Sequence, residues 1–176
     1  ELRIALIALA GVAGLWLGWR ERARRPAFAL AIQGGAIGVL LLTVFAAFRL
    51  YHLLPAGFAF SLFVLLVAGA ALLAILQDAI ALAVLGIVGG FLAPVLISTG
   101  SGNHVAPFSY YALLNPAVLW IAWIRPWRIL NLIGFAFTFG IGTLWGAKYY
   151  RPELFGSVEP FLVLYFLFYV AISVLY

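Results

Sequence analysis

Long apolar runs separated by short polar breaks organise the whole chain. Most of these runs approach the roughly 20 apolar residues that a helix needs to cross a hydrocarbon core about 30 Å thick. The runs are Leu2–Trp19, Ala27–Leu54, Ala56–Leu76, Ala79–Ile97, Val105–Ile124, Ile129–Ala147 and Phe161–Tyr176. This pattern predicts an all-α, polytopic transmembrane helix bundle of about seven helices in hairpin-like pairs, because a helix satisfies its own backbone hydrogen bonds in lipid.

The second run is too long for a single span. At about 1.5 Å per residue it would measure about 42 Å as one helix, which exceeds the thickness of the hydrocarbon core. We therefore expect its far end, Arg49 to His52, to lie at the membrane interface and Pro55 to end it.

Glycines four residues apart recur in these runs. In lipid, small residues at this spacing let two helix backbones approach closely, so we expect them to mark packing faces. The pairs are Gly14 and Gly18, Gly34 and Gly38, Gly86 and Gly90, and Gly142 and Gly146.

Composition supports a membrane protein. Hydrophobic residues make up 67% of the chain and charged residues 9%, which leaves too few polar residues to cover a soluble domain. The chain has no Met and begins and ends inside apolar runs, so we interpret residues 1–176 as a single transmembrane bundle that is an internal fragment of a larger multi-pass protein.

The charge of +5 does not indicate nucleic-acid binding, because four of the basic residues, Arg20, Arg22, Arg24 and Arg25, lie in one loop. Basic loops favour the cytoplasmic side. With this loop inside, Arg125 and Arg128 also fall inside, and the sequence predicts a periplasmic first residue and a cytoplasmic last residue.

Candidate binding residues concentrate between the fourth and fifth runs. Gly89, Gly90 and Pro94 are expected to kink or break the fourth helix, and interrupted helices build binding sites in transporters. In the fifth run, His104, Phe108, Tyr111 and Asn115 have the spacing of one helix face, and two interpretations stay open: a ligand cavity or hydrogen bonds between helices. The candidate ligand-binding residues are Ser98, Thr99, Ser101, Asn103, His104, Tyr111, Asn115 and Arg49.

Arg49 has two interpretations of its own. Its side chain can extend to the interface, or it can pair with Glu153, Glu159 or an anionic ligand.

The residues give little support for an enzyme or for a metal site. Asp78 is predicted inside and both His52 and His104 outside, so a Ser-His-Asp triad would have to cross the membrane. The chain lacks cysteine, and its two histidines have no metal-binding spacing, so we expect neither a metal nor another cofactor. An envelope-modifying enzyme ranks below the alternatives given next.

Several motifs together resemble a bacterial membrane-protein family catalogued as domain of unknown function 2339. The resemblance runs from about Gln33 onward, and its motifs are Gly89–His104, Phe108–Asn115, Arg125–Arg128, Phe135–Gly146 and Tyr149–Glu153. It implies a large multi-pass inner-membrane protein of Gram-negative bacteria, and it assigns neither an activity nor catalytic residues.

Two functions remain as hypotheses. The first is a module that binds or transports a small solute or an envelope lipid or glycan component at its outer face. It predicts a cavity lined by Ser98, Thr99, Asn103, His104, Tyr111 and Asn115. The second is a structural or assembly module, which predicts that those groups close onto one another. The expected partners are membrane lipids, the remaining helices of the full-length protein and other membrane subunits, without nucleic acid.

Overall fold

The protein is helical throughout the part described by the structure, a computed structural model that covers residues 2–97, 104–125 and 127–175. A π-helical segment, Ala46–Leu50, continues α2, and a 3-10 turn, Pro152–Leu154, precedes α7. The α-helices are α1 Leu2–Glu21, α2 Pro26–Phe45, α3 Ala56–Gln77, α4 Ile80–Ile97, α5 Val105–Ile124, α6 Arg128–Tyr149 and α7 Phe155–Leu175. The predicted fold class, all-α with about seven helices, is confirmed.

Within the described residues, six helical segments are long and apolar enough to cross a membrane. The apolar stretch of α5, Val105–Ile121, is shorter than these six. The six segments are Leu2–Glu21, Pro26–Leu50, Ala56–Gln77, Ile80–Ile97, Arg128–Tyr149 and Pro152–Val174.

Two helix boundaries differ from the predicted runs by more than two residues. The second helix ends at Leu50 rather than Leu54, because the chain leaves helical geometry at Tyr51 and His52 has a positive φ of 51°. The last helix begins at Phe155 rather than Phe161 and contains Pro160, so Glu159, which precedes the predicted run, is part of α7. Pro160 is the sixth residue of α7, beyond its first turn, so it removes one i→i−4 backbone hydrogen bond near the start of the helix.

The chain divides into two compact units, Glu1–Ile97 and Ser98–Tyr176, each described here by itself. In the first unit, α1 packs chiefly against α2 and α3 against α4, while α2 also contacts α3 and α4. An apolar core joins α2, α3 and α4. Its buried residues are Ala59, Phe63, Ala93 and Ile97. The predicted hairpin-like pairing is therefore present in this unit, and the single bundle over residues 1–176 stays a prediction.

Glycines determine how closely the helices of the first unit approach one another. A Cβ added at Gly14 would lie 3.1 Å from Ala36 Cβ, and one added at Gly18 would lie 2.9 Å from the Ala29 carbonyl oxygen. On α4, a Cβ at Gly86 would lie 3.0 Å from Ala70 Cβ of α3. At these distances a larger residue would force the helices apart, so the Gly14–Gly18 pair and Gly86 lie on packing faces, as predicted.

A left-handed residue closes the α3–α4 hairpin. Asp78 follows α3 with φ 52° and ψ 42°, and the Ala79 N–H donates to the Ala74 carbonyl at 2.9 Å. This 6→1 bond is the Schellman arrangement that satisfies a carbonyl at a helix end. Asp tolerates the left-handed conformation better than most residues, which explains why the predicted break at Gln77 and Asp78 forms a tight turn.

A pair of glutamines links α2 to α3. Gln33 is fully buried, and its Oε1 accepts a hydrogen bond of 2.8 Å from Gln77 Nε2. Gln33 Nε2 is buried with no hydrogen-bond partner among the described residues. Since a buried amide in lipid strongly favours partners, the Gln77 contact holds these helices in register.

In the second unit, α5 packs against both α6 and α7. The inward face of α6 carries Leu130, Asn131, Gly134 and Thr138, which are buried. A Cβ added at Gly142 or Gly146 would meet nothing within 4 Å among the described residues. No close approach by another described helix therefore occurs at this predicted packing pair.

Candidate functional site

The polar face of α5 is the best-defined candidate site. His104, Phe108, Tyr111 and Asn115 are 5%, 4%, 1% and 2% exposed, so the whole predicted line is buried. It faces α6 and α7, the helices against which α5 packs in this unit. The spacing read from the sequence therefore identified a buried face of the helix.

Asn115 lies at the centre of a hydrogen-bonded cluster that joins three helices. Its Nδ2 donates to the Tyr111 carbonyl at 3.0 Å and to Thr138 Oγ1 at 2.9 Å. Its Oδ1 accepts a hydrogen bond from the Tyr169 hydroxyl and lies 3.2 Å from Thr138 Oγ1. Both N–H groups and the oxygen of this amide are thus used by the protein, which is the favourable state for a polar group in lipid.

A second cluster surrounds His104 at the start of α5. His104 Nε2 lies 3.0 Å from Ser157 Oγ, and Ser157 Oγ donates to the Leu154 carbonyl at 2.9 Å. Because the serine hydrogen is directed to Leu154, its oxygen is an acceptor and His104 Nε2 is the donor. The imidazole also lies 4.9 Å from the Trp145 ring and 5.8 Å from the Phe108 ring, centroid to centroid.

A third contact lies between these clusters. The Tyr165 hydroxyl of α7 donates to the Phe108 carbonyl of α5, and both side chains are buried. The rings of Phe108 and Tyr165 meet edge to face at 6.4 Å. Polar contacts therefore bind α5 to α7 at successive levels along the helix.

One buried side-chain polar atom in this unit has no hydrogen-bond partner within the described part of the chain. Asn131 on α6 is 8% exposed, and its Oδ1 is buried without a hydrogen bond. It lies seven residues before Thr138, on the same buried face.

The other predicted site residues lie elsewhere. Ser98, Thr99, Ser101 and Asn103 fall outside the described residues, so their part in a site stays a prediction. Arg49 lies in the first unit, exposed, in the π-helical segment Ala46–Leu50. Its position at the end of a membrane-length helix agrees with extension toward the interface.

Gly89, Gly90 and Pro94 also lie in the first unit, on α4. The helix continues through Pro94 to Ile97, and a kink at Pro94 stays a prediction. A Cβ added at Gly89 would lie 2.9 Å from Leu41 Cδ1 of α2. This glycine therefore serves close contact between α4 and α2, and Gly90 is buried beside it.

Sequence reasoning identified Asn115 and His104 without their partners, Thr138, Tyr169 and Ser157. A signal was available: Asn131, Gly134 and Thr138 repeat at i, i+3 and i+7 on α6, and Tyr165 and Tyr169 are four apart on α7. Polar residues on one face of each of three consecutive apolar helices indicate a shared polar interior.

The arrangement is suited to holding helices together. No group of three or more His, Asp or Glu side chains able to hold a metal ion occurs among the described residues. The hydroxyls, amide and imidazole of the second unit act instead as donors and acceptors between helices.

Comparison with known proteins agrees with this membrane architecture. No curated protein and no solved structure matches the chain. One family model, described as "Predicted membrane protein (DUF2339)", matches residues 1–176, so the chain belongs to this family of membrane proteins.

Proposed function

We propose that this chain is a structural and assembly module of a multi-pass membrane protein. In this role its helices form locked groups that pack against lipid, the remaining helices of the full-length protein and other membrane subunits. We place it in the bacterial inner membrane, with the first residue periplasmic and the last cytoplasmic, because the Arg20–Arg25 loop favours the cytoplasmic side.

The closed polar face of α5 carries this proposal. A site that receives a solute needs donors and acceptors left free for it. The Asn115 amide instead forms hydrogen bonds with Tyr111, Thr138 and Tyr169, and His104 donates to Ser157. Among the described residues, the groups expected to line a cavity are thus satisfied by their own unit, as an assembly module requires.

The outward surface supports the same role. Large apolar side chains are exposed along the helices, including Leu9 at 64%, Leu65 at 67%, Leu113 at 75% and Leu144 at 73%. Lipid or neighbouring helices are the environments in which such surfaces are stable. On α6, the open space beside Gly142 and Gly146 suits the close approach of a further helix.

Replacement of Asn115 tests the proposal. Asn115→Ala removes the amide that joins three helices and leaves Thr138 and Tyr169 without it, so we expect the free energy of unfolding in detergent to fall by about 1–3 kcal/mol. Leu113→Ala is the matched control, because Leu113 lies on the same helix and is exposed. It should leave stability nearly unchanged.

The same preparations distinguish assembly from binding. Mass spectrometry of small molecules that copurify with the wild type and the Asn115→Ala variant measures ligand retention. Unchanged retention with reduced stability supports the structural role. A solute or lipid-linked molecule retained by the wild type and lost from an equally stable variant would instead establish the binding or transport alternative.

A further inference from the structure

The loop between α1 and α2, together with the last turn of α1, concentrates positive charge on an exposed surface. Arg20, Arg22, Arg24 and Arg25 are all exposed, and Glu21, half-buried, is the acidic residue among them. No ion pair between described residues neutralises Arg24 or Arg25. Four like charges within six residues repel one another, so an anion placed among them is stabilised.

The backbone holds these charges together. The N–H groups of Arg24 and Arg25 both donate to the Glu21 carbonyl, at 3.0 and 2.9 Å, so the chain turns directly after α1. Below the turn, Gly18 allows α2 to approach α1 closely, since an added Cβ would lie 2.9 Å from the Ala29 carbonyl oxygen. The arginines therefore project from a short, well-supported turn.

Two tryptophans place this turn at the membrane surface. The Arg22 guanidinium lies 3.4 Å from the Trp19 ring centroid and donates from Nη1 to the Trp19 carbonyl at 3.4 Å. The Arg20 guanidinium lies 5.4 Å from the Trp16 ring centroid. Trp16 and Trp19 are 61% and 38% exposed on an apolar helix. Indole rings favour the depth of the lipid headgroups, which is also the depth of the lipid phosphates.

We propose that this loop binds the phosphate of an anionic phospholipid headgroup. Arg24 and Arg25 contact the phosphate, while Arg20 and Arg22, stacked on Trp16 and Trp19, fix the depth of the loop. Guanidinium groups suit this task because their paired N–H donors match phosphate oxygens bidentately. A lipid is favoured over free phosphate because the exposed indoles adjoin the same turn.

Native mass spectrometry of the whole protein in detergent tests the site. The probes are phosphatidylglycerol, phosphatidylcholine and inorganic phosphate. The wild type should bind phosphatidylglycerol more tightly than phosphatidylcholine. Because each Arg or Lys near an anionic surface contributes about a fivefold increase in affinity, Arg24→Gln/Arg25→Gln should weaken phosphatidylglycerol binding about 25-fold.

Two further variants separate a site from general charge. Lys148→Gln/Arg151→Gln removes the same charge from exposed positions at and just after the end of α6 and should leave the preference intact. Arg24→Lys/Arg25→Lys keeps the charge, and with it the membrane orientation, but removes the bidentate donors, so binding should weaken. Folding of each variant is checked by circular dichroism.

Four results would overturn the proposal. The first is equal affinity of the wild type for the two lipids. The second is equal loss of binding in the Arg24/Arg25 and Lys148/Arg151 glutamine variants, and the third is full binding by the lysine variant, because either of these indicates diffuse attraction. The fourth is displacement of the lipid by millimolar inorganic phosphate, which would assign the loop to a soluble anion.

Discussion

Replacing Thr138 with Val should loosen the second unit by a small, measurable amount. Thr138 is 2% exposed, and its Oγ1 accepts a hydrogen bond of 2.9 Å from Asn115 Nδ2. Valine has nearly the same shape as threonine, so the change removes the hydroxyl without opening a cavity. The effect on stability therefore reports the hydrogen bond and the burial of its donor.

The magnitude follows from the surroundings of the Asn115 amide. Without Thr138 Oγ1, one N–H of Asn115 loses its acceptor, while Tyr111 and Tyr169 still bind the rest of the amide. Hydrogen bonds between membrane helices contribute about 0.6 kcal/mol on average and up to about 1.7 kcal/mol. Because this N–H would be left buried, we expect Thr138→Val to lower the free energy of unfolding by about 1–1.5 kcal/mol.

Equilibrium unfolding of the detergent-solubilised protein measures this difference. Thr143→Val is the matched control: it makes the same substitution on the same helix, at a position that is exposed. We expect the control to change stability by less than about 0.5 kcal/mol. Tyr169→Phe, measured alone and together with Thr138→Val, completes a double-mutant cycle. Since both partners bind Asn115, the two effects should not be additive.

Equal stability of Thr138→Val and Thr143→Val would refute the reasoning. It would mean that water or a ligand replaces the threonine at Asn115, and hence that the polar face of α5 is open rather than closed. Strict additivity in the double-mutant cycle would likewise show that Thr138 and Tyr169 do not share the Asn115 amide.

Two more substitutions test the packing of each unit by the same unfolding measurement. Gly18→Ala should destabilise the first unit by about 1–3 kcal/mol, because its methyl group collides with α2, whereas Gly35→Ala, at an open and exposed position, should be neutral or stabilising. A stable Gly18→Ala variant would contradict this close approach of α1 and α2. Tyr165→Phe should cost about 0.5–1.5 kcal/mol by removing the hydrogen bond to the Phe108 carbonyl, and Tyr150→Phe, at an exposed tyrosine, should cost little. Equal effects of the two phenylalanine variants would remove Tyr165 from the contacts that hold α5.

The glycine pairs show how much a local sequence pattern can predict. Gly14 and Gly18 have the same separation as Gly142 and Gly146. The first pair lies against Ala36 and Gln33 of α2, while no described atom meets a Cβ at either glycine of the second pair. The spacing predicts a surface able to pack closely, and the presence of a neighbour depends on the path of other helices.

The polar face of α5 shows the same limit of a local pattern for the candidate site. Periodicity placed His104, Tyr111 and Asn115 on one face but left open whether that face lined a cavity. The answer depends on Thr138 and Tyr169, which are 23 and 54 residues away from Asn115. A separation of 23 or 54 residues is not a recognisable sequence motif, because only the packing of the helices brings these residues together.

By itself, the sequence determined the membrane environment, the helical class and most helix boundaries. These properties are local: a helix bonds its own backbone, and about 20 consecutive apolar residues suffice to favour lipid. Tertiary structure decided which faces are buried, which glycines are contacts and whether the polar groups of α5 are satisfied. Those outcomes depend on side chains from different helices, since lipid is as apolar as the helix surfaces and only close packing and hydrogen bonds select one arrangement.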